Sequence, residues 1–322
     1  MAGVGNPAVG VRIPPSAAAW SAGIAVAGVV LAMLLRPTFG LYLTEGVALV
    51  TALGAAGLTT YAMTTPSDID VRRWLRRPVL ALAVTAFAAV HLAVPFDVMV
   101  VAGNGLHGLG DGLSRSVVLH SGEFETALMR SLGLVLVMAS FPRNTRKTNV
   151  LGVAGVLLII GSFALIGHAR TGSPQAAATA AVLAHVSAAS TWFGGLLGLG
   201  ISLRHARADV TVCGRLLVRF ARTMEAVLAL VLAAGMGLTI LYLPDIDALV
   251  HTAYGQVLLI KLGVLSAVLI VSASNHTRLV DMARRGNDRA VRVLQTNIAV
   301  EQIGLLAILA ITAVLMRQDP RG

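Results

Sequence analysis

Four ionisable residues sit inside or at the margin of long apolar stretches: Glu45, His185, Lys261 and Glu301. In hydrocarbon each costs a few kcal/mol unless it is partnered or hydrated, so such positions mark ion traffic or a structural pairing. His185 is the strongest candidate for chemistry. It lies ten residues past Gln175, about 15 Å along a helix at 1.5 Å per residue. Trp192 follows seven residues later and shares its face. His168 closes the preceding apolar stretch in Gly167-His168-Ala169. Only a short turn separates the two stretches, which therefore form antiparallel neighbours with an imidazole on each. Such a pair suits a copper ion, as Cu(I) or Cu(II), and it would also suit haem iron. Lys261 and Glu45 fall at similar depth, and they either pair, offsetting each other's desolvation, or line an ion path. Glu301 is placed near the inner end of the last stretch, at the interface or in the path.

The remaining histidines suggest a collecting surface. His107 and His120 lie in the segment Ala102 to Glu123, with Asp111 and Gly103, Gly105, Gly108, Gly110 and Gly112. Glycine at that density disfavours a regular helix. The segment reads as a flexible loop or as a metal-collecting lid, with His251 in another loop on the same side. Met99, Met129, Met236 and Met316 could supply soft thioethers, but they form no M-x-M or M-x-x-M cluster and are ordinary packing residues too. The single Cys213 excludes an internal disulfide and a cysteine-based metal cluster. No P-loop, dinucleotide fingerprint, nucleophile elbow or H-E-x-x-H site is present, so ATP-driven transport within the chain is not expected. The chain reads as a transporter rather than an enzyme, with a haem-binding electron-transfer protein or a copper-delivery assembly factor for a cuproenzyme as the alternatives.

The elements that must position these residues are membrane spans. Nine apolar stretches of suitable length cover 17–35, 40–63, 78–101, 124–141, 149–168, 176–201, 224–243, 255–274 and 298–316. The fourth is interrupted by Arg130. Four connections carry most of the 25 basic residues: Arg72, Arg73, Arg76 and Arg77; Arg143, Arg146 and Lys147; Arg204, Arg207, Arg215, Arg219 and Arg222; and Arg278, Arg284, Arg285, Arg289 and Arg292. By the positive-inside rule these four face the cytoplasm. His91, His107, His120, His168, His185 and His251 then all lie in outer halves or outer loops. The expected architecture is an all-α polytopic transmembrane bundle of about eight or nine helices. It divides into a cytoplasmic amino-terminal segment (1–16), amino-terminal transmembrane helices (17–148) with the Gly/His loop near 102–123, and a carboxy-terminal transmembrane domain (149–322).

Composition supports this class. Hydrophobic residues make up 56% of the chain and charged residues 12%, against about a quarter charged in soluble domains. The formal charge of +10 sits in short loops beside helix ends rather than on one soluble patch. It therefore speaks for orientation and anionic lipid, not nucleic acid. The abundant glycines, among them Gly194 and Gly195, permit close helix packing in lipid.

The run Ala184-His185-Val186-Ser187-Ala188-Ala189-Ser190-Thr191-Trp192-Phe193-Gly194-Gly195 resembles the H-x6-W-x-G-G signature of the copper resistance protein D (CopD) family. Further matches follow in family order: Gly167-His168-Ala169, Arg219-Phe220, Thr252-Ala253-Tyr254-Gly255 with Lys261, Asn275 with Arg278-Leu279, and Glu301. The resemblance runs from about 160 to 316; the amino-terminal half agrees only in helix pattern and has no histidine in its first two spans. What the resemblance implies is an inner-membrane protein of copper homeostasis, moving copper from the periplasm toward the cytoplasm. It also implies a separate periplasmic copper donor resembling CopC, since no such domain is fused.

Overall fold

A computed structural model describes residues 29, 32–66, 68–142, 145–166, 174–206, 209–243, 245–274 and 288–318. The expected segment 1–16, most of the first span and His168 lie outside the described residues. Among the described residues the chain is all-α, with no strand. The helices are α1 (Pro37–Thr64), α2 (Val71–Ala102), α3 (Gly112–Leu119), α4 (Gly122–Ser140), α5 (Arg146–Gly161), α6 (Gln175–His205), α7 (Val210–Tyr242), α8 (Ile246–His251), α9 (Ala253–Ser274) and α10 (Asp288–Leu315). Seven of them are long and apolar enough to cross a membrane: α1, α2, α5, α6, α7, α9 and α10.

Local chemistry sets the boundaries. Side-chain oxygens cap four amino termini: Asp70 accepts from Arg73 N (3.3 Å), Ser121 from Phe124 N (3.2 Å), Asp209 from Val212 N (3.0 Å) and Asp245 from Ala248 N (2.7 Å). Thr145 and Thr148 close a capping box at the start of α5. α2 ends at Gly103, whose φ of 69° places it in the left-handed region. Each predicted span from 40–63 onward has its helix, but several helices extend well past the apolar run at one end. α2 begins at Val71 rather than 78, α7 at Val210 rather than 224, and α10 at Asp288 rather than 298. Hydropathy marks the hydrocarbon-compatible core of a helix. Arginine is itself a good helix former, so the helix continues through the basic residues.

The Gly-rich segment departs from the expected irregular loop. Gly105–Gly110 forms a 3-10 helix and α3 follows at once. Asp111 caps α3 by accepting from Leu113 N (3.3 Å) and Ser114 N (3.1 Å) and from the Ser114 hydroxyl. Those bonds hold its carboxyl below the usual carboxylate range. One well-placed carboxylate thus offsets the glycines' conformational freedom.

α4 carries Glu123, Glu125 and Arg130, yet it runs antiparallel beside α5 for its full length. Thr126 and Arg130 reach Ser162, Gly133 meets Gly155, and Gly152 meets Ser140. At 19 residues it is about 28 Å long, enough to cross with its partner.

α1 and α6 form the centre, with 61% of each apolar window buried against 11% in α7 and α9. They meet backbone to backbone: a Cβ at Gly194 would stand 2.5 Å from both Gly57 Cα and Leu58 N. The Ser190 hydroxyl donates to the Leu53 carbonyl at 2.9 Å across this contact.

Long-range contacts also sort the two ends of the bundle. Arg215 pairs with Asp68, Trp74 stacks on His205 at 5.4 Å, and Arg72 covers the Phe141 ring at 5.3 Å. These gather three of the basic segments at one end, hereafter the arginine-rich end. At the opposite end Arg317, just past α10, pairs with Glu45 of α1.

Candidate functional site

His185 is set into the seam between α6 and α7. Around it α6 is built of Ala, Ser and Val, small enough to let α7 approach closely. The facing position on α7 is Gly235, where a Cβ would lie 3.2 Å from the ring's Cε1 and 3.3 Å from Nδ1. Glycine there makes the space that the imidazole occupies. The Nδ1 atom lies 3.0 Å from the Val231 carbonyl oxygen. A carbonyl can only accept, so Nδ1 carries the proton and Nε2 keeps its lone pair. An imidazole oriented through one nitrogen by a backbone carbonyl, with the other nitrogen open, is arranged as metal-ligating histidines usually are. Lys261 of α9 lies within Coulombic reach of this ring. The two residues come from similar depths, ten and eight residues from the outer ends of their helices.

The other expected site residues are distributed differently. Trp192 is buried in the central core, about two turns further along α6 from His185. Gly194 abuts Gly57, and Gly195 lies against the Phe220 ring at 3.3 Å. Glu45 does not pair with Lys261. Its carboxylate takes a hydrogen bond from Arg317 Nε at 2.8 Å and a second from the same guanidinium, which also covers the Tyr42 ring at 5.6 Å. Burial works against the Arg317 charge, but these bonds and the field of Asp97 more than offset it and hold the guanidinium above its usual pKa. Arg317 sits outside the last apolar run and was invisible to a search for intramembrane charges.

Glu301 lies five residues into the apolar part of α10, which spans Thr296–Leu315, and is 3% exposed. Helix α10 runs beside α6, with Gln302 Nε2 donating to the Leu196 carbonyl at 3.2 Å. Its α10 neighbour Gly304 faces Val268 of α9. That antiparallel register separates Glu301 from the level of Lys261 by about 15 Å along the axis.

His107, His120 and His251 are all exposed and are not drawn together. His120 Nδ1 donates to Ser116 O at 2.7 Å, and His251 interacts with Asp247 one turn away at 3.0 Å. His91 stacks on Phe87 at 4.2 Å and faces outward on α2. Among the described residues no three of His, Cys, Asp and Glu converge on a common point. His168, the expected companion of His185, lies outside them.

Two features of the site were not read from sequence: Gly235 and the Val231 carbonyl. The pattern Gly235-Met236-Gly237 inside a long apolar helix was the available signal, since glycine within such a helix implies close approach of another group.

Comparison with known proteins gives the seam a context. Residues 214–315 match the family model described as copper resistance protein D. That stretch, about a third of the chain, is similar to the CopD family. The matched stretch holds α7 almost entirely, with Val231 and Gly235, and runs through Lys261 and Glu301 to the end of α10; His185 on α6 precedes it. The chain is also similar to the copper transport protein CutJ of Bacillus subtilis (strain 168), with 28% identity over 131 residues, or 40% of this chain. That similarity spans about a quarter (24%) of the relative's length. No solved structure matches the chain. Seven membrane-length helices, together with the CopD-like stretch, make this a multi-pass membrane protein.

Proposed function

We propose that the protein carries copper across the bacterial inner membrane, from the periplasm toward the cytoplasm, through the seam that holds His185. The observation that carries this reading is the imidazole fixed through Nδ1 to Val231, with Nε2 open, on the flank of a CopD-family region. The arginine-rich end faces the cytoplasm by the positive-inside rule, which puts His185 in the outer half. Copper is the cargo. His185, joined by His168, captures the ion from the outer side, where a separate CopC-like protein can deliver it. The exposed His107, His120 and His251 raise the local concentration of metal at that face without forming a site of their own. Imidazole nitrogen accepts both Cu(I) and Cu(II), so the ligand type leaves the oxidation state open. Lys261 and Glu301 stand further along the bundle. The Lys261 ammonium beside the captured ion sets a positive barrier, and the Glu301 carboxylate lies deeper, toward the arginine-rich end.

Metal and optical analysis of the purified protein, wild type beside the His168→Ala/His185→Ala double variant, tests this. Copper bound near stoichiometrically by the wild type and lost from a normally folded variant is the expected result. Equal copper in both would overturn the assignment, and a Soret band would replace copper transport with haem-based electron transfer.

A further inference from the structure

The same seam contains a second polar feature nearer the arginine-rich end. A cavity of about 80 Å³ lies between α1, α6 and α7. Its walls include Thr60 and Thr64 of α1, Thr191 of α6 and Thr223 of α7, with Arg219 exposed at the rim. Thr191 is six residues from His185 toward the arginine-rich end, about 9 Å along α6. Each of these threonines donates its hydroxyl proton to a carbonyl one turn back in its own helix. The acceptors are Ala56 O at 3.0 Å, Thr60 O at 2.9 Å, Ser187 O at 2.8 Å and Arg219 O at 3.1 Å respectively. The hydroxyls therefore offer the cavity oxygen lone pairs and no protons. Arg219 at the rim supplies N–H donors. Hydroxyl oxygens whose own protons are spent can only accept, which fits water, since water both gives and takes hydrogen bonds. At roughly 30 Å³ per molecule the volume holds two or three waters, each with the polar partners that an ordered water needs. Apart from one thioether, Met224, the donors are hard oxygens, which water suits better than a soft ion.

We infer that this cavity is a hydrated site, open at the arginine-rich end, that brings water into the seam to within about 9 Å of the level of His185. Its place in a copper path rests on the function proposed above; its hydration does not. In such a path it lets an ion leaving the imidazole regain a water shell before it reaches the far surface.

Cysteine accessibility in the full-length protein tests the site, because Cys213→Ser removes the single native thiol. On that background Thr191→Cys and Thr223→Cys are treated in oriented vesicles with a charged, membrane-impermeant thiol reagent. Thr145→Cys, exposed at the arginine-rich end, marks the side, and Val84→Cys, lipid-facing and 56% exposed, is the dry control. The reagent needs the thiolate, which forms in water and not in hydrocarbon. Thr191→Cys should react about tenfold or more faster than Val84→Cys, and from the same side as Thr145→Cys. Reaction at the Val84→Cys rate, or from the opposite side or both, overturns the proposal. If Thr191→Cys does not fold, Thr223→Cys gives the same readings from α7. Copper content of the His185→Ala variant is measured separately. Unchanged copper together with one-sided labelling would sink the transport reading and leave the hydrated site standing, and the converse pattern would do the reverse.

Discussion

The α4–α5 and α6–α7 pairs are both antiparallel and both enclose a polar side chain two to three turns from the outer end, yet they use it in opposite ways. In the first pair Arg130 is held by its surroundings. Its Nε donates to the Ser162 hydroxyl at 3.2 Å, and its guanidinium lies 4.6 Å from the Phe163 ring centre. A desolvated cation–π contact of that kind contributes about 2 kcal/mol. In the second pair His185 is held through one nitrogen and keeps the other free. The glycines differ in the same sense. Gly133 and Gly155 bring two backbones together, whereas Gly235 makes room for a ring. Arg130 too leaves a buried atom, Nη2, without a hydrogen-bond partner, but a guanidinium carries donors only and cannot ligate a cation. The open nitrogen of a firmly oriented imidazole keeps a lone pair, and that yields chemistry.

The sharpest way to break this comparison is to enlarge one glycine of each pair. A Cβ at Gly155 would stand 2.9 Å from the Val137 nitrogen and closer still to the Gly133 carbonyl oxygen. Backbone cannot swing aside, so Gly155→Leu should cost more than about 3 kcal/mol and abolish recovery of folded protein in detergent. Gly235→Val meets only a movable imidazole. It should give folded protein in near-normal yield with copper binding lost. Equal yields of the two variants would show that the glycines do not have separate jobs.

A second test concerns the polar groups themselves. Ser162→Ala removes the hydrogen-bond acceptor of Arg130 Nε and leaves a buried donor short of a partner. A loss of about 1–3 kcal/mol is expected, read as a lower thermal midpoint in detergent with copper content unchanged. Lys261→Met should act in the opposite direction. No described carboxylate pairs with Lys261, so its charge carries a desolvation cost of up to about 2.5–3.5 kcal/mol that methionine does not. The variant should be at least as stable as the wild type while its copper flux changes. A destabilised Lys261→Met would mean that the lysine is a structural prop like Arg130.

Much of the fold was legible because a membrane span is a compositional object. Long apolar runs separated by arginine-rich turns specify helices, their number and their alternation, and each described span proved helical. The loop at 102–123 was misjudged because composition weighs its many glycines and overlooks one Asp111 cap. At the site, His185, Lys261 and Glu301 announced themselves as costly residues in apolar surroundings. Their partners did not. The Val231 carbonyl is backbone and has no residue type to recognise. Gly235 acts through what it lacks, and Arg317 belongs to an unremarkable polar tail. The pairing of Glu45 with Lys261 was one of two readings suggested by equal depth, but depth fixes only one coordinate of three, and helix rotation turns Glu45 toward α10.

That correction supports the smallest of the expected effects. The Glu45–Arg317 pair joins α1 to the end of α10, and both side chains are about one-third exposed, at 35% and 31%. Solvent screens such a pair, and its worth falls toward the range for surface ion pairs, about 0–1 kcal/mol. Arg317→Ala should therefore lower stability by no more than about 1 kcal/mol, and high salt should weaken the wild type by a similar amount and the variant by none. If the pair also shields the Glu45 carboxylate from metal at the outer face, the same variant will take up additional, weakly held copper that Glu45→Gln removes. A loss of stability well beyond that expected for an exposed pair would place Arg317 beside Arg130 as a structural cation and extend the first mode of packing to the outer edge of the bundle.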